Sequence, residues 1–232
     1  MTWGNLFSII KKTLKEPSTA VVDSGHWTDA EYLAMANIGQ RKIVGFTACL
    51  RQTDTSTTSV ASQAEYTKPT NCLRWIRITY DDKRLYPISR DDLDILASAA
   101  MINAPWVDSE GTPTNYYKTF STYGLYYKPN ATGTVITEEY ALKPTDLTDT
   151  DSVPFNGTTI LEEYHDLIAT YVIWQFMLQD GNELYKEHEK IFKEGIRDLR
   201  IKTNVKFDDE LGTFTLLKQR EGINTFPLPL WG

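Results

Sequence analysis

The strongest structural signal in the sequence is a capping box formed by Thr28 and Glu31. The Thr28 hydroxyl can accept a hydrogen bond from the Glu31 backbone N–H, while the Glu31 carboxylate reaches back to the Thr28 N–H. Trp27 and Tyr32 flank the box at the positions of a hydrophobic staple. The sequence therefore predicts a helix that starts after Thr28 and runs from about Asp29 to Phe46.

A second helix start of the same kind follows at Ser89 and Asp92. Ser89 is the predicted N-cap, and Ile88 and Leu93 are placed as its hydrophobic staple. This motif predicts a short helix from Arg90 to about Ala100.

Three other segments have helical periodicity. The N-terminal segment places Trp3, Leu6, Phe7, Ile10 and Leu14 on one face and precedes Pro17, which is expected to end it. A helix that begins near Ile160 is apolar nearly all round from Leu167, which is typical of a central buried helix, and Gly181-Asn182 ends it. The segment from Glu183 to Ile201 is amphipathic, with Tyr185, His188, Phe192, Ile196 and Leu199 on the predicted inner face.

The middle of the chain is rich in residues that favour β-strands. Strands are predicted within 66–86, 116–120, 124–127 and 134–142. Residues 129–133 are expected to form a hairpin turn between the last two runs. The Ser/Thr-rich stretch 51–64 indicates a flexible loop or a long exposed hairpin, and residues 143–159 indicate a loop.

This order predicts an α+β fold, with helices at both ends and strands between them. The expected architecture is a helical bundle built from the N- and C-terminal helices, with an inserted small β sub-domain and an extended C-terminal tail. The predicted segments are 1–50 (N-terminal helices of the bundle), 51–159 (inserted β-rich sub-domain with one short helix), 160–205 (C-terminal helices of the bundle) and 206–232 (extended docking tail).

Composition excludes several classes of protein. The net charge of −7 argues against a free nucleic-acid-binding protein, which would have a basic excess. Two cysteines, Cys49 and Cys72, are too few for a zinc site, although one disulfide is possible. The longest apolar run, 167–178, is shorter than a membrane span requires, and the N-terminus lacks the order of a signal peptide.

Carboxylate pairs are the only catalytic candidates in the sequence. They are Asp91, Asp92 and Asp94; Glu138 and Glu139; Glu162 and Glu163; and the run from Asp208 to Glu210. Acidic residues at a helix start are explained by the helix dipole, and the three histidines, His26, His165 and His188, lie far apart. We therefore predict no catalytic residues, no cofactor site and no metal site.

A dense group of aromatic residues comprises Tyr116, Tyr117, Tyr123, Tyr126 and Tyr127. Such rings can form a sugar-binding platform, or they can pack strands and contact neighbouring subunits. The second interpretation is favoured.

The C-terminal segment 223–232 is uncharged, apolar and interrupted by proline. It is too short to form a core, and its large side chains would be costly to leave in water. It either folds back on its own domain or docks on another chain, and the prolines would reduce the cost of ordering it. The candidate partner-binding residues are Ile223, Phe226, Pro227, Leu228, Pro229, Leu230 and Trp231.

The order of motifs resembles the head-to-tail adaptor proteins of tailed bacteriophages. The Trp-Thr-Asp helix start at Trp27 is followed by Tyr-x-x-Pro at Tyr66, by strands joined through an acidic turn at Asp81, and by the Ser-x-x-Asp helix start at Ser89. The resemblance spans about residues 26 to 200, through the segments 113–117, 124–129, 138–144, 147–149 and 163–166.

The resemblance implies a non-enzymatic structural protein of the virion neck, assembled in the host cytoplasm. It implies a ring, twelve-fold to match the portal, that lies beneath the portal and continues the DNA channel. The implied partners are the portal protein, which adaptor C-terminal segments reach, a downstream tail or neck protein, other copies of the chain, and genomic DNA that passes without sequence-specific binding; no membrane is implied. The alternatives are another neck or tail-tube-proximal component, or a carbohydrate-binding or glycosidase-like tail module.

Overall fold

The computed structural model describes residues 1–15, 27–99 and 109–203, and within them the fold is mixed α+β, as predicted. The α-helices are Trp3–Leu14 (α1), Asp29–Thr47 (α2), Arg90–Ala99 (α3), Asp166–Gln179 (α4) and Tyr185–Thr203 (α5). The β-strands are Arg51–Thr58 (β1), Glu65–Thr67 (β2), Cys72–Tyr80 (β3), Lys83–Arg84 (β4), Tyr86–Pro87 (β5), Glu110–Gly111 (β6), Asn115–Lys118 (β7), Thr122–Tyr126 (β8), Lys128–Pro129 (β9) and Val135–Leu142 (β10). Two short 3-10 helices, Phe155–Gly157 and Thr159–Tyr164, precede α4.

The described strands form three sheets. Their orders are β1-β10-β3-β4, β2-β8-β7-β5 and β6-β9. Strand β8 pairs antiparallel with both β2 and β7, whereas β5 pairs parallel with β7. The sheets therefore combine strands that are distant in the sequence.

The chain forms two compact units. The helical unit contains Met1–Thr53, Pro69–Ile76 and the chain from Glu139 through α5, whereas the β unit contains Asp54–Lys68 and Arg77–Glu138.

Helix α4 is the centre of the helical unit. Helices α1, α2 and α5 all pack against it, and buried side chains occur on every side of its first three turns. The rings of Trp27 and Tyr32, from the start of α2, lie 4.6 and 4.7 Å from the ring of Phe176. The prediction of a central buried helix is confirmed.

Both predicted helix starts are present. The Thr28 N–H donates to Glu31 Oε2 at 2.7 Å, and the Glu31 N–H donates to Thr28 Oγ1 at 3.3 Å. At α3 the Asp92 N–H donates to Ser89 Oγ at 3.0 Å. Ile88 and Leu93 pack together with Tyr117, as a hydrophobic staple requires.

Two buried amides on α2 hold the segment that leads to α4. Asn37 Nδ2 donates to the Leu147 carbonyl at 3.1 Å, and Asn37 Oδ1 accepts from the Leu147 N–H at 2.7 Å. Gln40 Oε1 accepts from the Phe155 N–H at 2.9 Å, while Gln40 Nε2 donates to Asn37 Oδ1 at 3.2 Å. The predicted loop 143–159 is thus fixed by side chains that satisfy its buried backbone groups.

The first turn of α1 is also satisfied by that loop. The N–H groups of Trp3 and Gly4 donate to the carbonyl oxygens of Ser152 and Thr150 at 2.8 and 2.9 Å. These bonds replace the side-chain cap that α1 lacks, because Thr2 forms no capping hydrogen bond.

Two predictions for the connections between strands were wrong. Residues 51–58 are neither a loop nor part of a hairpin with their neighbours, because β1 is an edge strand next to β10. Residues 129–133 do not close a hairpin between β8 and β10, because those strands belong to different sheets. In both cases the partner strand is distant in the sequence. The composition of one strand and its alternation of apolar and polar residues do not reveal which strand it pairs with.

Candidate functional site and assembly surfaces

Several of the candidate carboxylates in the described residues have structural explanations. Glu138 and Glu139 are neighbours on β10, so their side chains leave opposite faces of the strand, and Glu138 is the buried one. Glu162 and Glu163 are exposed, and Glu163 forms an ion pair with Lys202. Asp91 and Asp92 lie in the first turn of α3, where the dipole favours acids. The run from Asp208 to Glu210 lies outside the described residues.

Glu138 forms a buried pair with Tyr123 in the β unit. The Tyr123 hydroxyl donates to Glu138 Oε1 at 2.7 Å, and both side chains are fully buried. Burial raises the pKa of Glu138; hydrogen bonds from Tyr123 and Thr57 oppose the rise, and the charge of Asp54 adds to it. The pKa of Tyr123 is raised by its own burial and by the Glu138 charge. Glu138 is therefore a carboxyl that the fold prefers in its neutral form.

Replacing Glu138 with glutamine is expected to stabilise the protein at pH 8 and to have little effect at pH 4. A folded-state pKa above the unfolded value contributes stability that is complete below the unfolded pKa and is lost as the pH rises through the folded pKa. Glutamine stays neutral and keeps an oxygen for the Tyr123 hydroxyl, so the Glu138→Gln protein should not show this loss. Thermal melts of the Glu138→Gln protein and the unmodified chain between pH 4 and pH 8 measure this difference in stability.

The control for this change is Glu183→Gln, which alters an exposed carboxylate. If the two variants keep the same pH profile as the unmodified chain, the neutral state of Glu138 does not contribute to stability.

The two described histidines, His165 and His188, have different environments. His165 is buried beside α1, with Nδ1 3.0 Å from the Met1 carbonyl oxygen, so Nδ1 carries the proton. Burial lowers the pKa of His165. His188 is partly exposed on α5, and His26 lies outside the described residues.

The described residues contain no group of three or more His, Cys, Asp or Glu side chains arranged to hold a metal ion. Cys49 and Cys72 are both free thiols, so the disulfide that the sequence left open is not formed. Nor does any described helix combine the length and the apolar character that crossing a membrane requires.

Most of the tyrosine group is buried. Tyr116, Tyr117 and Tyr123 are at most 1% exposed, and their rings are therefore not open to a sugar. Tyr126 and Tyr127 stack on each other, with ring centroids 4.4 Å apart. The arrangement agrees with strand packing rather than with a sugar-binding platform.

The hairpin between β7 and β8 exposes a large apolar side chain at its tip. Phe120 is fully exposed, and the turn beneath it is held by bonds between Thr119 and Thr122. The Thr119 N–H donates to the Thr122 carbonyl at 3.0 Å, and the Thr122 N–H donates to Thr119 Oγ1 at 3.1 Å. A fully exposed aromatic ring on a turn braced in this way is suited to contact with another protein.

Exposed apolar side chains also lie on two helices of the helical unit. On α2 they are Ile38 and Phe46, which are 37% and 50% exposed, and on α5 they are Ile191 and Ile201, at 51% and 66%. Glu189 and Lys193 form an i,i+4 ion pair on the same helix, at 2.7 Å. These side chains are candidates for contacts between subunits.

The comparison with protein families decides the class of the protein. A family model described as SU10 adaptor protein matches residues 1–211. The chain belongs to the SU10 adaptor protein family. It is a phage adaptor protein, as the order of its motifs had indicated. No curated protein gave a significant match to this adaptor.

The predicted docking residues of the adaptor, from Ile223 to Trp231, lie outside the described residues, so their role stays a prediction. Sequence reasoning missed Phe120 and the exposed side of α5. The α5 signal was present, because Glu187, Ile191, Glu194, Asp198 and Ile201 recur at steps of three and four residues. Nothing in the sequence marks Phe120 as exposed, since Phe is usually buried.

Proposed function

We propose that this adaptor is a structural protein of the virion neck that forms a ring beneath the portal, connects the capsid to the tail and continues the DNA channel. The family match over residues 1–211 carries the proposal. The ring is assembled in the host cytoplasm from identical copies, twelve if it matches the portal. Genomic DNA passes through it without sequence-specific binding, which is compatible with the net charge of −7.

In this proposal the helices at the two ends of the chain build the ring. The N-terminal segment 1–50 and the C-terminal segment 160–205 contribute the helices of the bundle, and the inserted segment 51–159 contributes the β sub-domain. The packing of α1, α2 and α5 around α4 supports the bundle.

The tail 206–232 is proposed to dock on the portal. Residues 223–232 carry no charged side chain and include two prolines and one glycine. This composition favours an extended segment with exposed apolar side chains. Extended, proline-containing segments lose little conformational entropy on docking. The contact side chains in this proposal are those of Ile223, Phe226, Pro227, Leu228, Pro229, Leu230 and Trp231.

The β sub-domain is proposed to face the downstream tail or neck protein. The fully exposed ring of Phe120 supports this assignment, because a large aromatic side chain on a braced turn is a typical anchor for a partner's pocket. Glu138, Glu163 and His165 each have a structural partner, which supports a structural rather than an enzymatic function.

Deleting residues 223–232 is expected to abolish co-purification of the portal with the tagged adaptor from infected cells. Five large apolar side chains, each worth about 1.5–3 kcal/mol on burial, would be removed together. The measurement is an affinity pull-down, with mass spectrometry and negative-stain imaging of the eluate. The unmodified chain should bring down a portal-sized protein together with ring-shaped particles.

The matched control is Val60→Ser, which removes an exposed apolar side chain elsewhere in the chain and should leave the pull-down unchanged. Portal that still co-purifies after the deletion would remove the docking role of the tail but keep the adaptor. A clean monomer with no virion partner would overturn the adaptor function itself.

A further inference from the structure

Strand β1 has a neighbouring strand on one side only. Among the described strands it pairs with β10 and stands at the edge of its sheet. It is eight residues long, whereas the other strands at the edges of the two larger sheets, β4, β2 and β5, have two or three residues. An edge of this length offers a row of backbone N–H and C=O groups to which an extended chain can add as a further strand.

The composition of β1 favours such pairing. Four of its eight residues are threonine, which is common in strands, and it contains neither proline nor lysine, which often protect an edge against strand addition. The Ser56 N–H donates to Asp54 Oδ1 at 2.8 Å, so a side-chain oxygen serves as the acceptor for one donor of the strand. An added strand would supply donors and acceptors along the rest of this edge.

The end of α5 is fixed beside the start of β1. The Thr203 carbonyl oxygen accepts a hydrogen bond from Arg51 Nη2 at 2.6 Å, and Thr203 Oγ1 donates to the Thr47 carbonyl at 2.9 Å. Thr203 is the last described residue, so residues 204–232 continue from a point next to Arg51. The C-terminal segment therefore leaves the described fold at the strand that has an uncovered edge.

Within that segment, residues 213–218 have the sequence pattern of a strand. In the run Thr-Phe-Thr-Leu-Leu-Lys, the threonines alternate with Phe214 and Leu216, and no proline interrupts them. Residues 223–232, by contrast, include two prolines, which lack the N–H that pairing in a sheet requires. The run 213–218 is therefore the part of the C-terminal segment best suited to add to a sheet.

The connection is long enough to bring this run to β1. Residues 204–212 precede it, and an extended chain covers about 3.3 Å per residue, which gives a reach of roughly 30 Å. The eight residues of β1 extend over about 26 Å at the same rise. The run can therefore pair along the whole of β1 in either direction. We propose that residues 213–218 add to β1 of the same chain as a further strand of its sheet.

The added strand fixes the point from which the docking segment leaves the fold. Only residues 219–222 then separate it from residues 223–232, which keep the role in portal docking proposed above. A short tether lowers the entropy cost of docking, because fewer residues remain to be ordered. The pairing needs neither a portal nor a ring, so it goes beyond the proposed function and can fail or hold independently of it.

Hydrogen exchange of the purified full-length chain, resolved by residue, tests the pairing. The variant Thr215→Pro/Leu216→Pro removes two consecutive backbone N–H groups. Because successive N–H groups point to opposite sides of a strand, one of the two faces β1 in any register. About half of the β1 amides point away from β10. Their exchange is expected to be slow in the unmodified chain and faster by at least about tenfold in this variant.

The matched control is Asn224→Pro/Thr225→Pro, which makes the same kind of change within the docking segment. It should leave the exchange of the β1 amides unchanged. Amides of α4 should keep their exchange rates in all three proteins, which separates the loss of an added strand from general unfolding.

Three results would overturn the proposal. Fast exchange of the outward β1 amides in the unmodified chain would show that the edge is open. Slow exchange that survives the change at 215 and 216, or that the control also abolishes, would show that residues 213–218 are not the covering strand. Protection that increases with protein concentration would assign the edge to a second copy of the chain.

Discussion

Replacing Asn37 with alanine is expected to lower the free energy of unfolding by about 3–5 kcal/mol. The Asn37 amide satisfies both the N–H and the carbonyl of Leu147, at 2.7 and 3.1 Å, and Leu147 is only 3% exposed. Alanine would leave these two buried backbone groups without partners, and each such group costs about 1–3 kcal/mol. It would also remove the acceptor for Gln40 Nε2.

Equilibrium unfolding in urea checks this value. The control is Asn5→Ala, which makes the same chemical change at an exposed position of α1. Because alanine has the higher helix propensity, this control should be neutral or slightly stabilising. If the two variants lost the same amount of stability, the Asn37 bridge to Leu147 would not contribute in solution.

The Asn37 bridge also shows where prediction from sequence ends. Asn37 and Gln40 lie on α2, and both side chains are buried. Their partners, Leu147 and Phe155, are more than a hundred residues away in the sequence, and no local pattern identifies a backbone group as the partner of a distant amide. The helix was predictable because capping and periodicity act within a few residues, whereas the bridge depends on the tertiary fold.

The strands illustrate the same limit. Residues 115–118, 122–126 and 135–142 were recognisable as strands from their Tyr, Thr, Val and Ile content. Their partners were not recognisable, and the turn at 129–133 was assigned to the wrong pair. For β1, exposed Ser and Thr side chains suggested a loop, but backbone pairing with β10 needs no apolar side chains at the edge of a sheet.

The buried and exposed faces of α5 were partly predictable. The inner face of α5 was assigned correctly at Phe192 and Leu199, which are buried. Ile191 and Ile201 recur at similar steps, but the structure shows that both side chains are exposed while α5 packs against α2 and α4. An amphipathic pattern identifies the most apolar face of a helix, but it does not show that a second, mixed face remains open.

Replacing Gly124 with alanine is expected to lower the free energy of unfolding by about 2–3 kcal/mol, because the added methyl group overpacks a full site. Gly124 on β8 lies directly opposite Tyr117 on β7, and the Tyr117 ring covers it. An added Cβ would lie 1.9 Å from Tyr117 Cζ, closer than any van der Waals contact. The ring is buried against Ile88 and Leu93, and its hydroxyl donates to Glu65 Oε1 at 3.3 Å, so moving the ring aside would disturb these contacts.

A double-mutant cycle tests whether the Tyr117 ring is the cause. In a Tyr117→Ala background the clash is absent, and Gly124→Ala should then be neutral or slightly stabilising, because glycine is unfavourable inside a strand. A helix control is Gly45→Ala, where an added Cβ meets no atom within 4 Å and should stabilise the protein by up to about 1 kcal/mol. An equal cost of Gly124→Ala in both backgrounds would mean that the backbone at position 124, rather than the ring above it, requires glycine. The two requirements differ in a testable way, since a backbone requirement is independent of the residue at position 117 and a packing requirement is not.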